Sequence, residues 1–466
     1  MRLTFFGAAQ EVTGSLLHIE TSAGSLVVDC GMVQGRRAEA SARNRKLPAA
    51  AVHADAALLT HAHIDHSGSL PTLVKAGFKG PIYATPATAD LCDYMLRDSA
   101  RIQEADAAYL NRKWQDDPTW KPLMPLYDEG DVIKTLARMR PTPYHESFTP
   151  LAGVSATFFE AGHILGSAQL VLDVEDDGVL RRLLITGDLG RSGLPILKDP
   201  ETPPGPIDYL VMESTYGDRN HGTVAQMHDD LARVVSETTS RGGRVIIPAF
   251  AVGRTQELLY VLHELFKARR LPKIPIYVDS PLAISITEAF RRHPDCFDAE
   301  TQAFLREHGD VFAFDGVHFT QSREASMAIN QVEGPAIIIS ASGMAEAGRI
   351  LHHLRRHVED PRNTVLIVGF MAQHTLGRRL AERRDRVKLW GVERDLRARV
   401  VVLDAFSAHA GQRDLLAHVS ACKPSRRIFL VHGEAGAQDT LAALLRTQGH
   451  TVTVPARAES IDLGTE

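Results

Sequence analysis

The chain has 466 residues, which at roughly 150 residues per domain is enough for several domains. Its composition, 44% hydrophobic and 23% charged, is ordinary for a globular protein and excludes disordered and fibrous classes. The 52 Lys and Arg are outnumbered by 57 Asp and Glu, for a formal net charge of −5. This excludes a uniformly basic nucleic-acid coat protein, but it does not exclude an enzyme with a local basic cleft.

Cysteine usage and hydropathy bear on the cell compartment. The four cysteines lie far apart and form no CxxC pair, a pattern typical of a reducing compartment rather than of a disulfide scaffold. The N-terminus lacks the apolar core of a signal peptide, and no apolar run approaches the ~20 residues that span a bilayer. We therefore expect a cytoplasmic protein that does not bind membranes.

The N-terminal half predicts short strands that end in polar turns, with one helix between them. The helical pattern runs from Asp90 to about Leu110. The strand-like runs are 2–8, 15–21, 24–31, 54–60, 154–163, 169–176, 181–190 and 207–215.

From residue 217 to 397 the sequence alternates strands with helices. Strand-like runs occur at 243–250, 273–280, 335–342 and 364–370. Apolar residues recur between them at helical spacing, and this alternation predicts a mainly parallel sheet in an α/β unit. Residues 398–466 then return to alternating strands and helices.

The strongest signal of chemistry is the segment His61-Ala62-His63-Ile64-Asp65-His66. It directly follows an apolar strand, so its polar side chains can spread from a tight turn. His61 and His63 are two apart and would point to the same side of an extended chain, while Asp65 and His66 reach beyond it. We interpret the segment as metal-binding, against the alternative of a solvated His-rich turn.

Further donors stand at the ends of other predicted strands. They are Asp29, His163, Asp188 and His432, and Gly follows shortly after each of them. A single His after a strand is usually structural. Several such donors beside the His-rich segment instead predict a site with more than one metal, held by nitrogen and oxygen rather than by thiolate.

These residues resemble those of a known superfamily. The segment HAHIDHSG (61–68), with Asp29, His163 and Asp188, is similar to the metallo-β-lactamase superfamily of metallohydrolases. The likeness narrows to its β-CASP family of nucleases, which includes the endonuclease of messenger RNA 3′-end processing. It covers essentially the whole chain and rests on MESTYGDR (212–219), IPAFAVGRTQELL (247–259), VDSPLA (278–283), SASGMAEAGRILHHL (340–354), FSAHAG (406–411) and LVHGE (430–434).

The resemblance implies an α/β fold. An αββα metallo-β-lactamase sandwich would comprise residues 1–216 and 398–466. A β-CASP domain with a mainly parallel sheet would be inserted at 217–397 and would roof the site to form a cleft.

The resemblance also implies a set of ligands for two zinc ions. His61, His63 and His163 would hold one ion, Asp65, His66 and His432 the other, and Asp188 would bridge both. Asp29 would orient the ligand turn without binding metal. None of these seven ligand positions is substituted.

Two further residues match family positions with a role in proton transfer. His409 would act as general acid or proton relay to the leaving oxygen, with Glu213 setting its tautomer. The alternative for His409 is a structural role at the start of the following helix. We favour the functional role because the whole FSAHAG motif matches the family.

The implied substrate is RNA, single-stranded or loosely structured. A His at the position of His432 resembles the RNA-cleaving branch, whereas the DNA-repair branch typically has Val. The small-residue loop 340–344, expected to lead into a helix near Ala345, would offer N–H groups to a phosphate. From these features we predict RNA contacts at Ser342, Gly343, Arg254 and Arg349. The many Arg of the insertion are equally explained as a solvated helix face.

Three functions remain as hypotheses. The first is a two-zinc ribonuclease, endonucleolytic by preference, with exonuclease activity from the same site as an open alternative. The second is a small-molecule hydrolase of the thioesterase or lactonase type, and the third is a scaffold without activity, which the intact ligand set disfavours. A homodimer is compatible with the family, and Gln373-His374, where the family more often has Glu-Gly, receives no role.

Overall fold

A computed structural model describes residues 1–35, 37–369, 371–372 and 374–463. The chain forms two compact units. The first contains Met1–Ser192, Asp199–Asn220 and the chain from His409 onward, and the second contains Gly193–Lys198 and His221–Ala408. The domain limits at residues 217 and 397 remain a prediction, which this division into two units does not test.

The first unit begins with most of its strands. In chain order its elements are β1 (Arg2–Phe5), β2 (Leu17–Thr21), β3 (Gly24–Val28), α1 (Arg37–Arg45), α2 (Ala49–Val52), β4 (Ala56–Leu58), α3 (Ile64–Ser67), α4 (Leu70–Ala76), β5 (Ile82–Ala84), α5 (Pro86–Lys113), α6 (Glu129–Leu136), β6 (Met139–Pro141), β7 (Ser147–Leu151), β8 (Val154–Glu160), β9 (Ala168–Asp176), β10 (Val179–Ile185) and β11 (Tyr209–Glu213).

The second unit alternates helices and strands. Its elements are α7 (Val224–Ser240), β12 (Val245–Pro248), α8 (Arg254–Lys267), β13 (Ile276–Val278), α9 (Pro281–Arg292), α10 (Ala299–His308), β14 (Val317–Phe319), α11 (Arg323–Ala328), β15 (Ile337–Ser340), α12 (Ile350–His357), β16 (Thr364–Ile367), α13 (Leu376–Ala381), β17 (Arg386–Leu389), β18 (Val392–Asp395) and β19 (Arg399–Val402). Short 3₁₀ turns lie at Pro294–Cys296, Ile329–Gln331 and Asp404–Phe406.

The chain then returns to the first unit with α14 (Gln412–Cys422), β20 (Arg427–Val431), α15 (Ala435–Thr447), β21 (Val452–Thr453) and β22 (Glu459–Asp462). Two seven-stranded sheets result, in the orders β22-β1-β2-β3-β4-β5-β6 and β21-β20-β11-β10-β9-β8-β7.

The two sheets of the first unit bury one core between them. Leu3, Phe5 and Ile19 of the first sheet share this cluster with Phe158 and Phe429 of the second. The outer face of the second sheet packs a separate cluster against α14 and α15. Buried side chains on α4 and α5 belong to the first unit as well. The predicted αββα sandwich is thus confirmed.

The second unit contains an antiparallel pair, β17 and β18, and a six-stranded sheet that is parallel throughout. The order of this sheet is β14-β13-β15-β12-β16-β19, and all its neighbouring strands pair in parallel. The strands β12, β15 and β16 are buried at every position, as expected of a sheet covered on both faces. This confirms the predicted α/β insertion with a mainly parallel sheet.

The edge strand β19 pairs with β16. One detail differs from the sequence expectations. The helix expected near Ala345 begins only at Ile350. Ala345 has a φ of 56° and Gly348 one of 81°, and these left-handed conformations are incompatible with a right-handed helix there.

No helix in the described ranges is both long and apolar enough to cross a membrane.

Candidate metal centre

The His-rich segment leaves the first sheet at the end of β4. Thr60 and His61 follow that strand, His63 caps the N-terminus of α3, and Asp65 and His66 lie on this short helix. The backbone of the helix is fixed from outside, because Cys30 N–H donates to the carbonyl of His66 and Met32 N–H to that of Ile64. The segment is therefore held rigidly in the fold of the first unit.

One cluster of donors contains His61, His63, His163 and Asp188. Nδ1 of His63 lies 3.2 Å from Nε2 of His61 and 3.3 Å from Nε2 of His163. Oδ2 of Asp188 lies 3.5 Å from Nε2 of His61 and 3.6 Å from Nε2 of His163. His163 follows β8 and Asp188 follows β10, so the ends of strands bring these residues together.

A second cluster contains Asp65, His66 and His432. Nε2 of His432, just beyond β20, lies 3.6 Å from Oδ2 of Asp65. Nε2 of His66 lies 3.2 Å from Oδ1 of Asp188. Asp188 therefore faces the first cluster with Oδ2 and the second with Oδ1.

The donor atoms fit divalent metal ions. Two nitrogens about 2.05 Å from one tetrahedral ion are about 3.3 Å apart, close to the separations of 3.2 and 3.3 Å among the three histidines of the first cluster. Within the described chain no hydrogen bond reaches the buried Nε2 of His432, whereas the buried Nε2 of His66 and Oδ1 of Asp188 face each other at 3.2 Å. Buried polar atoms without partners are costly, and a metal ion would satisfy them.

Burial and mutual repulsion keep the imidazoles of the first cluster neutral. Burial holds the pKa of His61 and that of His163 well below the usual range, and neighbouring histidines lower both further. Burial also lowers the pKa of His63, to about 4. Neutral imidazole is the form that binds metal, so these side chains are in the ligand state at neutral pH.

The charges around Asp188 favour its ionised form. Burial alone would raise the pKa of this carboxyl, but the imidazoles of His432, His66 and His61 together lower it well below its usual range. His66 shows the reverse balance, because Asp188 and Asp29 raise its pKa well above the usual value against the effect of burial. A proton on His66 would thus compete with a metal ion at this position.

Asp29 supports the site without belonging to either cluster. Its Oδ1 accepts hydrogen bonds from the backbone N–H and the hydroxyl of Thr60, at 2.8 and 3.0 Å. Its Oδ2 lies 2.7 Å from Nδ1 of His66. The carboxylate therefore fixes Nδ1 of His66 as the donor and leaves Nε2 free to face Asp188.

Glu213 and His409 form a third group beside Asp188. Oε1 of Glu213 lies 3.0 Å from Nδ1 of His409 and also accepts the N–H of Leu189, at 2.8 Å. Nδ1 of His409 is 4.0 Å from Asp188, so it is bonded to Glu213 and does not converge on Asp188. Although burial lowers the pKa of His409, Glu213 and then Asp188 and Asp65 raise it to about 8.

Two threonines that the sequence analysis did not select also contact the clusters. Oγ1 of Thr60 lies 3.1 Å from Nδ1 of His61, and Oγ1 of Thr215 lies 3.1 Å from Nδ1 of His432. The only signal in the sequence is position, because each stands beside a donor at a strand end. A threonine there is too common to be selected without the structure.

The four residues predicted to contact RNA all lie in the second unit. Arg254 is buried and paired with Glu257. Arg349 donates to Asp279 at 2.7 Å. Ser342 Oγ accepts the N–H of Glu346. A Cβ on Gly343 would lie 2.5 Å from Cδ2 of Phe250, so close packing already explains that glycine. Gln373 lies outside the described residues.

Comparison with known protein families matches three consecutive parts of the chain. Residues 15–228 match the metallo-beta-lactamase superfamily, and residues 255–380 match the Beta-Casp domain. Residues 393–455 match the family described as Zn-dependent metallo-hydrolase RNA specificity domain.

Individual relatives agree along the full length. The chain is 37% identical over 461 residues to Ribonuclease TTHA0252 of Thermus thermophilus, covering 99% of this chain and 100% of that protein. It is 31% identical to Transcription termination factor FttA of Methanosarcina mazei, covering 95% of this chain and 68% of that protein. A crystal structure of a protein of unknown function from Enterococcus faecalis shares the fold, with a TM-score of 0.53 at 13% identity and 99% coverage of both chains.

The chain therefore belongs to the β-CASP family of the metallo-β-lactamase superfamily. It is a metal-dependent hydrolase, and the groups of donors around Asp188 could hold its metal.

Proposed function

We propose that the chain is a zinc-dependent ribonuclease that hydrolyses RNA phosphodiester bonds at a two-metal site. The observation that carries the proposal is the position of Asp188, which faces His61 and His163 with one carboxylate oxygen and His66 and His432 with the other. His61, His63 and His163 would hold the first ion, and Asp65, His66 and His432 the second. Asp188 would contact both ions, and Asp29 would orient His66.

RNA as the substrate is supported by the relatives. One is named a ribonuclease, another a transcription termination factor and a third, from Methanocaldococcus jannaschii, an RNase J-like protein. The C-terminal family match carries RNA specificity in its description. These names favour a phosphodiester over the thioester or lactone of the alternative hydrolase.

Zinc is the metal that the donor set favours. The clusters offer imidazole nitrogen and carboxylate oxygen, and this combination is typical of hydrolytic zinc sites that keep positions open for water. When bound, two zinc ions would activate a water and stabilise charge on the phosphoryl oxygens. The protein's part is to fix the donors: Asp29 orients the imidazole of His66, and Thr60 that of His61.

His409 is the group we assign to proton transfer. Glu213 accepts the Nδ1 proton, which leaves Nε2 to carry the proton that a leaving oxygen needs. Glu213 itself is fully buried and held by the N–H groups of Leu189 and Thr215. This arrangement fixes the orientation of the imidazole and favours its protonated form, which a general acid requires.

Several finer features stay predictions. We propose that residues 1–216 and 398–466 form the catalytic domain and 217–397 the β-CASP domain. Cleavage within a single strand, a cytoplasmic location and a homodimer belong to the same proposal. Contacts of Ser342, Gly343, Arg254 and Arg349 with RNA also stay predictions, and any phosphate would compete with the carboxylates that already pair with both arginines.

The test is cleavage of a uniformly labelled single-stranded RNA and of the DNA with the same sequence, with and without a chelator. The variant Asp65→Ala/His66→Ala removes two donors of the second cluster, and Asp439→Ala/His450→Ala, away from the site, is the matched control. We expect internal RNA fragments from the wild type and the control but not from the variant or the chelated protein. Release of mononucleotides alone would indicate exonuclease activity instead of endonuclease activity. Intact RNA from metal-loaded protein, or cleavage that survives the chelator, would contradict the proposal.

A further inference from the structure

A tight hairpin in the second unit presents a tryptophan to solvent. Leu389 of β17 pairs with Val392 of β18, so that only Trp390 and Gly391 form the loop. Both have positive φ, 48° and 83°, which is the geometry of a type I′ turn. The first position of such a turn favours Asn, Asp or Gly. A bulky side chain there is strained, and strain of this kind marks places where the side chain serves a purpose beyond folding.

The indole ring of Trp390 is exposed and has polar neighbours. Its side chain is 48% exposed. The ring of His352 on α12 lies 4.5 Å away, tilted by 60°, and the guanidinium of Arg355 lies 5.7 Å from the ring centre. The guanidinium thus lies over the ring, and about half of the Trp390 surface stays exposed beside these two contacts. We call Trp390, His352 and Arg355 the Trp390 platform.

The surroundings of the platform are positively charged. The helix α12 contains no acidic residue, and its exposed positions include His352, Arg355 and Arg356. Arg323 on α11 is exposed as well, and Arg323 and Arg355 both lower the pKa of His352, after burial and His353. Within the described part of the chain, no carboxylate forms an ion pair with Arg323, Arg355 or Arg356. Most other arginines around the hairpin are neutralised, such as Arg386 by Glu393 and Asp395.

We propose that the Trp390 platform binds an unpaired base of single-stranded RNA, with the neighbouring arginines contacting the adjoining phosphates. The inference rests on the proposed function and adds a contact that is separate from the metal clusters. An aromatic ring accepts any base by stacking, and unpaired guanidinium groups attract the backbone without reading sequence. An exposed ring beside arginines fits an RNA strand better than an apolar protein surface, because an apolar surface would offer no negative charge to the arginines.

The test uses Trp390→Asn, a change that removes the ring while placing the residue that the turn favours. We expect this variant to unfold at the same temperature as the wild type or higher, so a loss of binding cannot be ascribed to unfolding. Binding of a single-stranded 20-mer RNA is measured in an Asp65→Asn background to prevent cleavage. Loss of one stacked base predicts a Kd raised about 5- to 160-fold. Trp390→Tyr should bind nearly as the parent does, and Trp114→Ala, at another exposed tryptophan, should be unchanged.

A second readout follows the ring itself. The chain has three tryptophans, so Trp114→Phe/Trp120→Phe leaves Trp390 as the only indole emitter. We expect its fluorescence to be quenched on titration with RNA. Arg355→Ala/Arg356→Ala should make the salt dependence of the Kd shallower, by about 0.7 in the logarithmic slope for each lost phosphate contact.

The outcomes separate the platform from the proposed function. Normal RNA cleavage together with an unchanged Kd for Trp390→Asn overturns the platform alone. Quenching by RNA without cleavage by the metal-loaded chain supports the platform and overturns the ribonuclease. If Trp390→Asn leaves the Kd unchanged but changes the oligomer mass, the hairpin is a protein contact and the RNA inference is wrong.

Discussion

The hydroxyl of Thr215 lies 3.1 Å from Nδ1 of His432 and also 3.1 Å from the carbonyl oxygen of the same residue. A hydroxyl has one proton to donate. When the hydroxyl of Thr215 donates its proton to the carbonyl of His432, its oxygen accepts the Nδ1–H of the imidazole. Nε2 of His432 is then unprotonated and would be available to a metal ion. Thr60 does the same for His61, because its hydroxyl lies 3.0 Å from Asp29 on its other side. Each threonine therefore selects the tautomer of one metal-facing histidine.

Replacing Thr215 by Val keeps the shape and removes the hydroxyl. We expect zinc affinity at the second cluster to fall about 10- to 100-fold, as for other residues that orient metal ligands, and Thr215→Ser to restore most of it. Competition against a chromophoric chelator measures the affinity. The control Thr135→Val removes a buried hydroxyl that bonds only to a backbone carbonyl. Equal zinc affinity in Thr215→Val and wild type would disprove the orienting role.

His409→Ala and Glu213→Gln test the proton-transfer group. We expect kcat to fall by about 10²- to 10⁴-fold for His409→Ala and by less for Glu213→Gln, which retains the imidazole. Zinc content and KM should stay near the wild-type values, since His409 lies outside both ligand clusters. Steady-state kinetics with metal analysis on the same samples checks this. Loss of a zinc ion from His409→Ala would show that the residue is a ligand instead.

His418 on α14 predicts a pH-dependent stability. Burial alone lowers its pKa to about 4, so between this value and 6.5 the unfolded chain binds a proton that the folded chain does not. His418 therefore does not change the free energy of unfolding with pH above 6.5. As the pH falls from 6.5 towards 4, it lowers the free energy of unfolding by at most about 3 kcal/mol. Urea unfolding across this range should show a shallower loss for His418→Leu. Parallel pH curves for the two proteins would mean that His418 titrates normally.

Asp279 predicts a large effect on the stability of the second unit. This fully buried carboxylate bonds to Arg349, His353, Thr320 and Ser326. Burial raises its pKa, but these bonds together lower it well below the usual range. Removing the carboxylate leaves its buried partners without a counter-charge or hydrogen-bond acceptor. Asp279→Ala should therefore lower the free energy of unfolding by about 3–5 kcal/mol. The exposed pair of Asp230 and Arg233 is the control, since Asp230→Ala should cost under about 1 kcal/mol.

Urea unfolding followed by circular dichroism measures both Asp variants. Stability also has a pH signature here, because the depressed pKa of Asp279 means that its contribution is present above the usual Asp pKa and is lost as the pH falls below it. Similar unfolding midpoints for Asp279→Ala and Asp230→Ala would contradict the network.

The metal-donor residues could be predicted from the sequence, but the residues that orient them could not. His61, His163, Asp188 and His432 were recognisable because each is a donor type at the end of an apolar strand. The strands β10, β11 and β20 pair in parallel, so Asp188 and His432 follow the same edge of the second sheet. Thr60 and Thr215 were not recognisable, since their roles depend on 3.1 Å contacts that no local pattern encodes. The same is true of Asp279, whose partners are up to 74 residues away along the chain.

One fold detail depended on tertiary context in the same way. The helix start expected near Ala345 failed because Ala345 and Gly348 have left-handed backbone conformations. The exposed position of Trp390 could not be predicted either, because an isolated Trp-Gly in a polar stretch has no strand periodicity that would indicate a hairpin.

Zinc titration of the chelator-stripped protein tests the central claim most directly. RNA cleavage is recorded against zinc equivalents per chain for the wild type and for Asp188→Asn. If Asp188 joins two metal positions, wild-type activity rises to a plateau at two equivalents, and the variant stays inactive at any zinc concentration that leaves the wild type active. A plateau at one equivalent, or full activity in Asp188→Asn, would contradict a two-metal site built around this carboxylate.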